Sequence, residues 1–167
     1  MIQLQRTDPA ALDRARGKVR ELGSALIAYS GGVDSTLLLK LALEELPGGV
    51  VAVLASSPAY PVSEQEEARA LARRLEAELV EVDTSEMELN AYVRNNPDRC
   101  FHCKEELFDT LEPVRERLGL ATLAYGATAD DAGDHRPGPA PAAKPGIRCQ
   151  LLDAGRAAQG CVGDLLA

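Results

Sequence analysis

"LIAYSGGVDSTLLLKLAL", Leu26 to Leu43, passes from one apolar run to another through two serines, two glycines and an aspartate. Ala25 to Tyr29 is short and wholly apolar, the pattern of a strand buried on both faces. Thr36 to Leu46 has the length and composition of a helix and ends at "PGG". The polar residues therefore stand where a strand turns into a helix. Two readings compete there: a tight Gly-Gly turn with an aspartate cap, or the floor of an anion site. Gly31 and Gly32 allow backbone conformations and close approaches denied to residues with a Cβ. Amides at the start of the helix, with the Ser30 and Ser35 hydroxyls, can surround a phosphate. Asp34 is odd beside a bare phosphate and fits better as a helix cap or as a holder of a phosphate-bridging Mg²⁺. Neither G-x-x-x-x-G-K-[ST] nor G-x-G-x-x-G occurs, which removes the Walker loop and the usual dinucleotide fingerprint.

Working outward, Thr7 or Asp8 can cap a first helix with Pro9 early in it, and Gly23 is its expected stop. Val50 to Ala55 reads as a second buried strand. Ser63 and Glu66 have capping-box spacing, ahead of an apolar face formed by Ala68, Leu71, Ala72 and Leu75. Glu78 to Val82 reads as a third strand and 85–94 as a short helix. Phe101 to Leu118 places Leu107, Phe108, Leu111, Val114 and Leu118 at helical spacing, with a kink or restart expected at Pro113. "LATLAYG", Leu120 to Gly126, gives a fourth strand, and "IRCQLL" offers a short fifth. Strands alternating with helices predict a doubly wound α/β fold, a parallel sheet covered on both sides. "GDHRPGPAPAAKPG" holds four of the ten prolines and reads as an irregular loop. The expected division is an α/β domain over 1–138 and an irregular tail over 139–167.

The 167 residues suffice for one domain with a substantial core. Aromatic content of only 4% leaves Ala, Leu and Val to fill it. A net charge of −8 gives no general attraction for nucleic acid or an anionic membrane, so neither is an expected partner. No export signal or membrane-length apolar run is evident, and the cytoplasm is the expected compartment. Four cysteines then read as thiols, metal ligands or catalysts rather than disulfides.

"SGGVDS" behind an apolar strand resembles the PP-loop of the ATP pyrophosphatase superfamily, which includes NAD and GMP synthetases and tRNA-thiolating enzymes. The resemblance implies an adenine nucleotide alpha hydrolase-like sheet of strand order 3-2-1-4, with room for a fifth strand. It also implies cleavage of ATP between its α- and β-phosphates, with Ser30, Gly31, Gly32, Asp34 and Ser35 gripping the pyrophosphate. "NNPDRCFHCKEELF", Asn95 to Phe108, and "GATADDAGDHRPG", Gly126 to Gly138, are similar to strings of the ATP-dependent sacrificial sulfur transferases of the LarE family. Those enzymes adenylate a carboxylate of a pyridinium mononucleotide. A protein cysteine then gives up its sulfur and becomes dehydroalanine, in the synthesis of the nickel-pincer cofactor of lactate racemase. Some relatives carry the sulfur on an iron–sulfur cluster instead.

On this resemblance Asp34, Ser35 and Lys104 act at the reacting phosphates. Arg99, Gly126, Thr128 and Arg136 join the ATP site. Asp130 and Asp131 follow the fourth strand as candidate Mg²⁺ ligands, though a helix cap or a solvated acidic turn would use the same residues. Arg suits bidentate phosphate contact and Lys a point-charge contact. Cys100 and Cys103 lie three apart and are candidate ligands of a [4Fe–4S] cluster, or two thiols packed in a core. Cys149 is a candidate third ligand.

The match stops short of the family's second half. Cys161, in "AQGCVGDLLA", resembles no family string, and Cys149 stands where the family commonly has Ser. No cysteine therefore inherits the sulfur-donor role, and a truncated or divergent form is expected. The remaining alternatives are an ammonia-using NAD- or GMP-synthetase-like ligase and an ATP-binding fragment without turnover. Oligomerisation is compatible with any of them.

Overall fold

The computed structural model describes residues 9–56, 60–84, 99–128 and 147–152. In chain order the elements are α1 (Pro9–Arg20), β1 (Ala25–Tyr29), α2 (Val33–Glu45), β2 (Val50–Ser56), α3 (Val62–Arg74), β3 (Leu79–Asp83), α4 (Arg99–Arg117), β4 (Thr122–Thr128) and β5 (Ile147–Leu152). All five strands form one parallel sheet of order β3-β2-β1-β4-β5. The expected order holds, and the fifth strand pairs with β4, Tyr125 opposite Cys149.

The pleat of β1 explains the two-sided core. Ala25, Ile27 and Tyr29 join one cluster with Leu37, Leu38, Leu41 and Ala42 of α2, Ala15 and Val19 of α1, and Ala68 and Ala72 of α3. Leu26 points the other way, into a cluster with Val51, Val53, Leu123 and the α4 residues Phe108, Leu111 and Val114. Thus α1, α2 and α3 cover one face and α4 the other. The sheet order reverses between β1 and β4, which opens a crevice beyond their carboxyl ends. Burying Phe108 and Leu111 completely contributes roughly 2–3 kcal/mol each to holding α4 in place.

α2 is buried on both sides, against the sheet and under α1. Arg16 pairs with Glu44 and Glu45, each at 2.6 Å, and Arg20 reaches Glu45 at 2.6 Å, fastening α1 across the end of α2. At the opposite end of the sheet from the crevice, the Ala121 amide donates to Ser24 Oγ at 2.9 Å and the Thr122 hydroxyl to the Leu22 carbonyl at 3.1 Å. These bonds set the start of β4 beside β1.

Four local expectations change. α2 begins at Val33 rather than Thr36, because Val33, Asp34 and Ser35 form its first turn with Gly32 as N-cap. The proposed capping box does not form: α3 starts at Val62 behind Pro61, and Ser63 already lies inside the helix. Pro113 causes no restart, since α4 runs unbroken from Arg99 to Arg117. Proline removes one backbone hydrogen bond and crowds the carbonyl four residues earlier, yet the face anchored by Phe108, Leu111 and Val114 carries the helix through. Leu118 falls beyond the helix and is exposed. The helix expected over 85–94 and the proline-rich segment lie outside the described residues.

Candidate functional site

β1 delivers the chain into the crevice at Ser30, and the next five residues close on themselves. The Gly32 amide donates to Ser30 Oγ at 3.3 Å, and the Ser30 and Ser35 hydroxyl oxygens lie 3.1 Å apart. Ser35 Oγ donates to the Gly32 carbonyl at 3.2 Å and accepts the Ser30 amide at 3.2 Å. Each hydroxyl has one proton, so one arrangement satisfies all four contacts: Ser30 donates to Ser35, and Ser35 to Gly32. The loop is thus held in shape by its own bonds.

Two close approaches seat it. Gly31 has φ +80°, and a Cβ added there would fall 2.7 Å from Ala68 Cβ on α3. Gly126 of β4 lies on the Asp34–Ser35 peptide, where a Cβ would meet the Asp34 carbonyl carbon at 2.8 Å and the Ser35 nitrogen at 2.9 Å. Both glycines are required by contact with a neighbour. Gly126 supports the first turn of α2, a more specific place than a general opening toward a ligand.

The electrostatics follow from the helix start. The first amides of α2 have no intrahelical acceptor, and the helix dipole adds partial positive charge at that end. Asp34, in the first turn, partly offsets that charge. Of the expected site residues, the structure brings together Ser30, Gly31, Gly32, Asp34, Ser35 and Gly126. Thr128 ends β4, at the same edge of the sheet. Arg99, Cys100, Cys103 and Lys104 occupy the first two turns of α4. Helices between parallel strands run against them, so that end of α4 also belongs to the crevice edge, on the opposite face from α2. Asp130, Asp131 and Arg136 lie outside the described residues, as does Cys161.

Two residues belong to the site that sequence reasoning does not place there. Tyr29, the last residue of β1, is buried, and its hydroxyl donates to the Ala68 carbonyl at 3.0 Å. Burial pushes the phenol above its ordinary value of 10.0, with the nearby Thr36 hydroxyl pulling the other way. That Thr36 hydroxyl makes no well-formed hydrogen bond among the described residues. The available signal for Tyr29 is a polar-tipped ring closing an otherwise apolar strand. Ala68 carries no local signal at all.

No protein-family profile matches the chain. It is 42% identical over 142 residues to an uncharacterized protein of Synechocystis sp., covering 85% of this chain and 53% of that protein. It is 33% identical over 138 residues to the pyridinium-3,5-bisthiocarboxylic acid mononucleotide synthase of Lactiplantibacillus plantarum, covering 81% of this chain and 50% of that one. The fold matches NMN synthetase from Francisella tularensis with a TM-score of 0.70 at 14% identity, over 94% of this chain and 71% of that one. It matches the NH3-dependent NAD synthetase of Campylobacter jejuni with a TM-score of 0.60 at 16% identity, over 74% and 58%. The chain is a homologue of that LarE-type synthase and shares the fold of the NMN and NAD synthetases. It spans about half the length of the curated relatives it matches. The Ser30–Ser35 segment stands where the sheet order reverses, beyond the carboxyl ends of β1 and β4, the place where open α/β sheets bind their ligands.

Among the described residues no helix is long and apolar enough to cross a membrane, and no group of three or more His, Cys, Asp or Glu side chains is gathered for a metal ion. Cys100 and Cys103 share the start of one helix, and Cys149 sits in β5 opposite Tyr125.

Proposed function

We propose that this chain binds Mg·ATP through its PP-loop and adenylates a carboxylate of a pyridinium mononucleotide, as the ATP-handling part of a LarE-type sulfur transfer. One observation carries the reading: a self-bonded Ser-Gly-Gly-Val-Asp-Ser loop at the switch point, with helix amides, two hydroxyls and two contact-enforced glycines at one spot. Such a cradle suits a phosphate chain, and 33% identity to a bisthiocarboxylic acid mononucleotide synthase supports the choice of acceptor.

In the proposed step a carboxylate oxygen attacks the α-phosphorus while the bond to the β-phosphate breaks. Acyl adenylate forms and pyrophosphate leaves. The loop amides stabilise charge growing on that departing group, and the hydroxyls of Ser30 and Ser35, bonded within the loop, hold those amides in place. Lys104 and Arg99, at the α4 end of the same sheet edge, are assigned to the phosphates as point-charge and bidentate partners. Mg²⁺ supplies further charge neutralisation when bound, with Asp34 and the pair Asp130 and Asp131 as its proposed holders. A thiolate then displaces AMP from the acyl carbon, and no cysteine of this chain is assigned to that displacement.

Incubation with Mg·ATP and pyridinium carboxylate mononucleotides tests the reading through AMP and pyrophosphate release and intact-protein mass. Carboxylate-dependent pyrophosphate is the expected result. Its absence with every carboxylate, the protein being folded, overturns the adenylation. A loss of about 34 Da from the protein marks sulfur donation by one of its own cysteines, since that is the mass of one sulfur and two hydrogens. Ammonia-dependent amide formation marks the synthetase chemistry instead.

A further inference from the structure

The PP-loop is shaped from behind by a helix that precedes none of its residues in sequence. α3 lies along the same sheet face as α2, and every strand on its side is tied to it near the crevice. From β1 the Tyr29 hydroxyl donates to the Ala68 carbonyl at 3.0 Å. From β2 the Ser56 hydroxyl donates to Gln65 Oε1 at 2.9 Å. From β3 Glu81 receives both arms of Arg69, at 2.9 and 2.8 Å. The bond from Tyr29 is the innermost of the three, with Tyr29 and Ala68 both buried.

Ala68 is also the residue on which Gly31 rests. A methyl at position 31 would collide with the Ala68 Cβ at 2.7 Å and crowd its Cα at 3.1 Å. The single alanine therefore meets β1 through its carbonyl and the loop through its methyl. Movement of α3 toward the loop is blocked by Gly31, and movement away stretches the bond from Tyr29. Gly31 adopts φ +80°, a backbone setting open to glycine and strained for a residue with a side chain. A buried phenol remains protonated near neutrality and keeps its donor role.

We propose that Tyr29 and Ala68 are positioning residues of the PP-loop: the alanine methyl fixes the depth of Gly31, and the tyrosine hydroxyl fixes the alanine. They touch no phosphate in this proposal and act through the direction of the amides that follow Gly31. The proposal rests on the phosphate reading of the loop. It adds a determinant on α3, 33 positions beyond the loop's own Ser35.

The test is calorimetric binding of magnesium α,β-methylene-ATP, which cannot be cleaved at the reacting bond, to the full chain. Wild type, Tyr29→Phe, Ala68→Val, Gly31→Ala and the double variant Gly31→Ala/Ala68→Gly are compared at a temperature where circular dichroism shows each folded. Ala68→Val is expected to weaken binding about tenfold or more, and Tyr29→Phe about threefold. Gly31→Ala loses most of the affinity, and removing the opposing methyl in the double variant restores part of it. A contact serving stability alone would leave the affinity of folded protein unchanged, so wild-type affinity in Tyr29→Phe and Ala68→Val overturns the proposal. Should Ala68→Val fail to fold, Tyr29→Phe decides alone, and wild-type affinity there overturns it. Absence of recovery in the double variant overturns the part given to the alanine methyl. A wild type that binds no nucleotide overturns the PP-loop reading and this proposal with it, whereas a binding wild type with indifferent variants overturns the proposal only.

Discussion

Gly126 and Asp34 lie in backbone contact: a Cβ built on the β4 glycine would stand 2.8 Å from the Asp34 carbonyl carbon and 2.9 Å from its oxygen. The neighbour is main chain in a helix buried on both sides, so it has no flexible end to swing away. Gly126→Ala is expected to destabilise the protein by about 1–3 kcal/mol, the usual cost of overpacking. It should also impair pyrophosphate release beyond the loss of folded protein, because the displaced turn carries the loop amides. Chemical denaturation and activity of the folded fraction, measured together, separate these effects.

Ser35 Oγ takes part in three of the loop's contacts, with the Ser30 amide, the Ser30 hydroxyl and the Gly32 carbonyl. Ser35→Ala removes all three and leaves the helix backbone intact. Pyrophosphate release should fall about tenfold or more, with the circular dichroism spectrum retained. Asp34→Ala should behave alike. Full activity in both variants contradicts the assignment of the loop.

Acid stability should report the clasp between α1 and α2. The Arg16 guanidinium, then that of Arg20, holds the Glu45 carboxyl below its ordinary 4.5, and Arg69 does the same to Glu81. A depressed carboxylate contributes stability that is fully present above the ordinary value and disappears as pH falls through the lower folded value. Melting temperature should therefore decline below pH 4.5, and Arg16→Ala should make that decline shallower. A decline equally steep in Arg16→Ala assigns the acid limb to other carboxylates.

Pro113 sits inside α4 with no N–H to give to the turn before it. Pro113→Ala restores that donor at a position the backbone already holds in helical form. The variant should be more stable by up to about 3 kcal/mol, read from the denaturation midpoint at unchanged slope. A destabilised variant would mean that the ring packs in a way alanine cannot replace.

Legibility in the sequence follows the range of the interactions. β1 is readable residue for residue because layers on both faces demand an unbroken apolar run. The first turn of α2 reads as loop because Asp34 and Ser35 are polar, although short polar residues are what the start of a helix favours. Ser63 and Glu66 form a persuasive cap on paper, but Pro61 and Val62 have already set the helix going. The loop residues are legible because five of them fall within Ser30–Ser35. The supports are not: Tyr29 meets Ala68 across 39 positions, and Gly126 meets Asp34 across 92. Only the sheet order brings those pairs together, and no local pattern encodes it.

The cladding of α2 has a mechanical consequence. With Leu37, Leu38, Leu39, Leu41 and Ala42 all enclosed and α1 clamped over its far end by Arg16 and Arg20, this helix has no room to tilt or slide. Its amide protons should be among the slowest in the molecule to exchange with deuterium. An arriving ligand would then meet a fixed anvil, and any closing movement during turnover must come from the walls facing it.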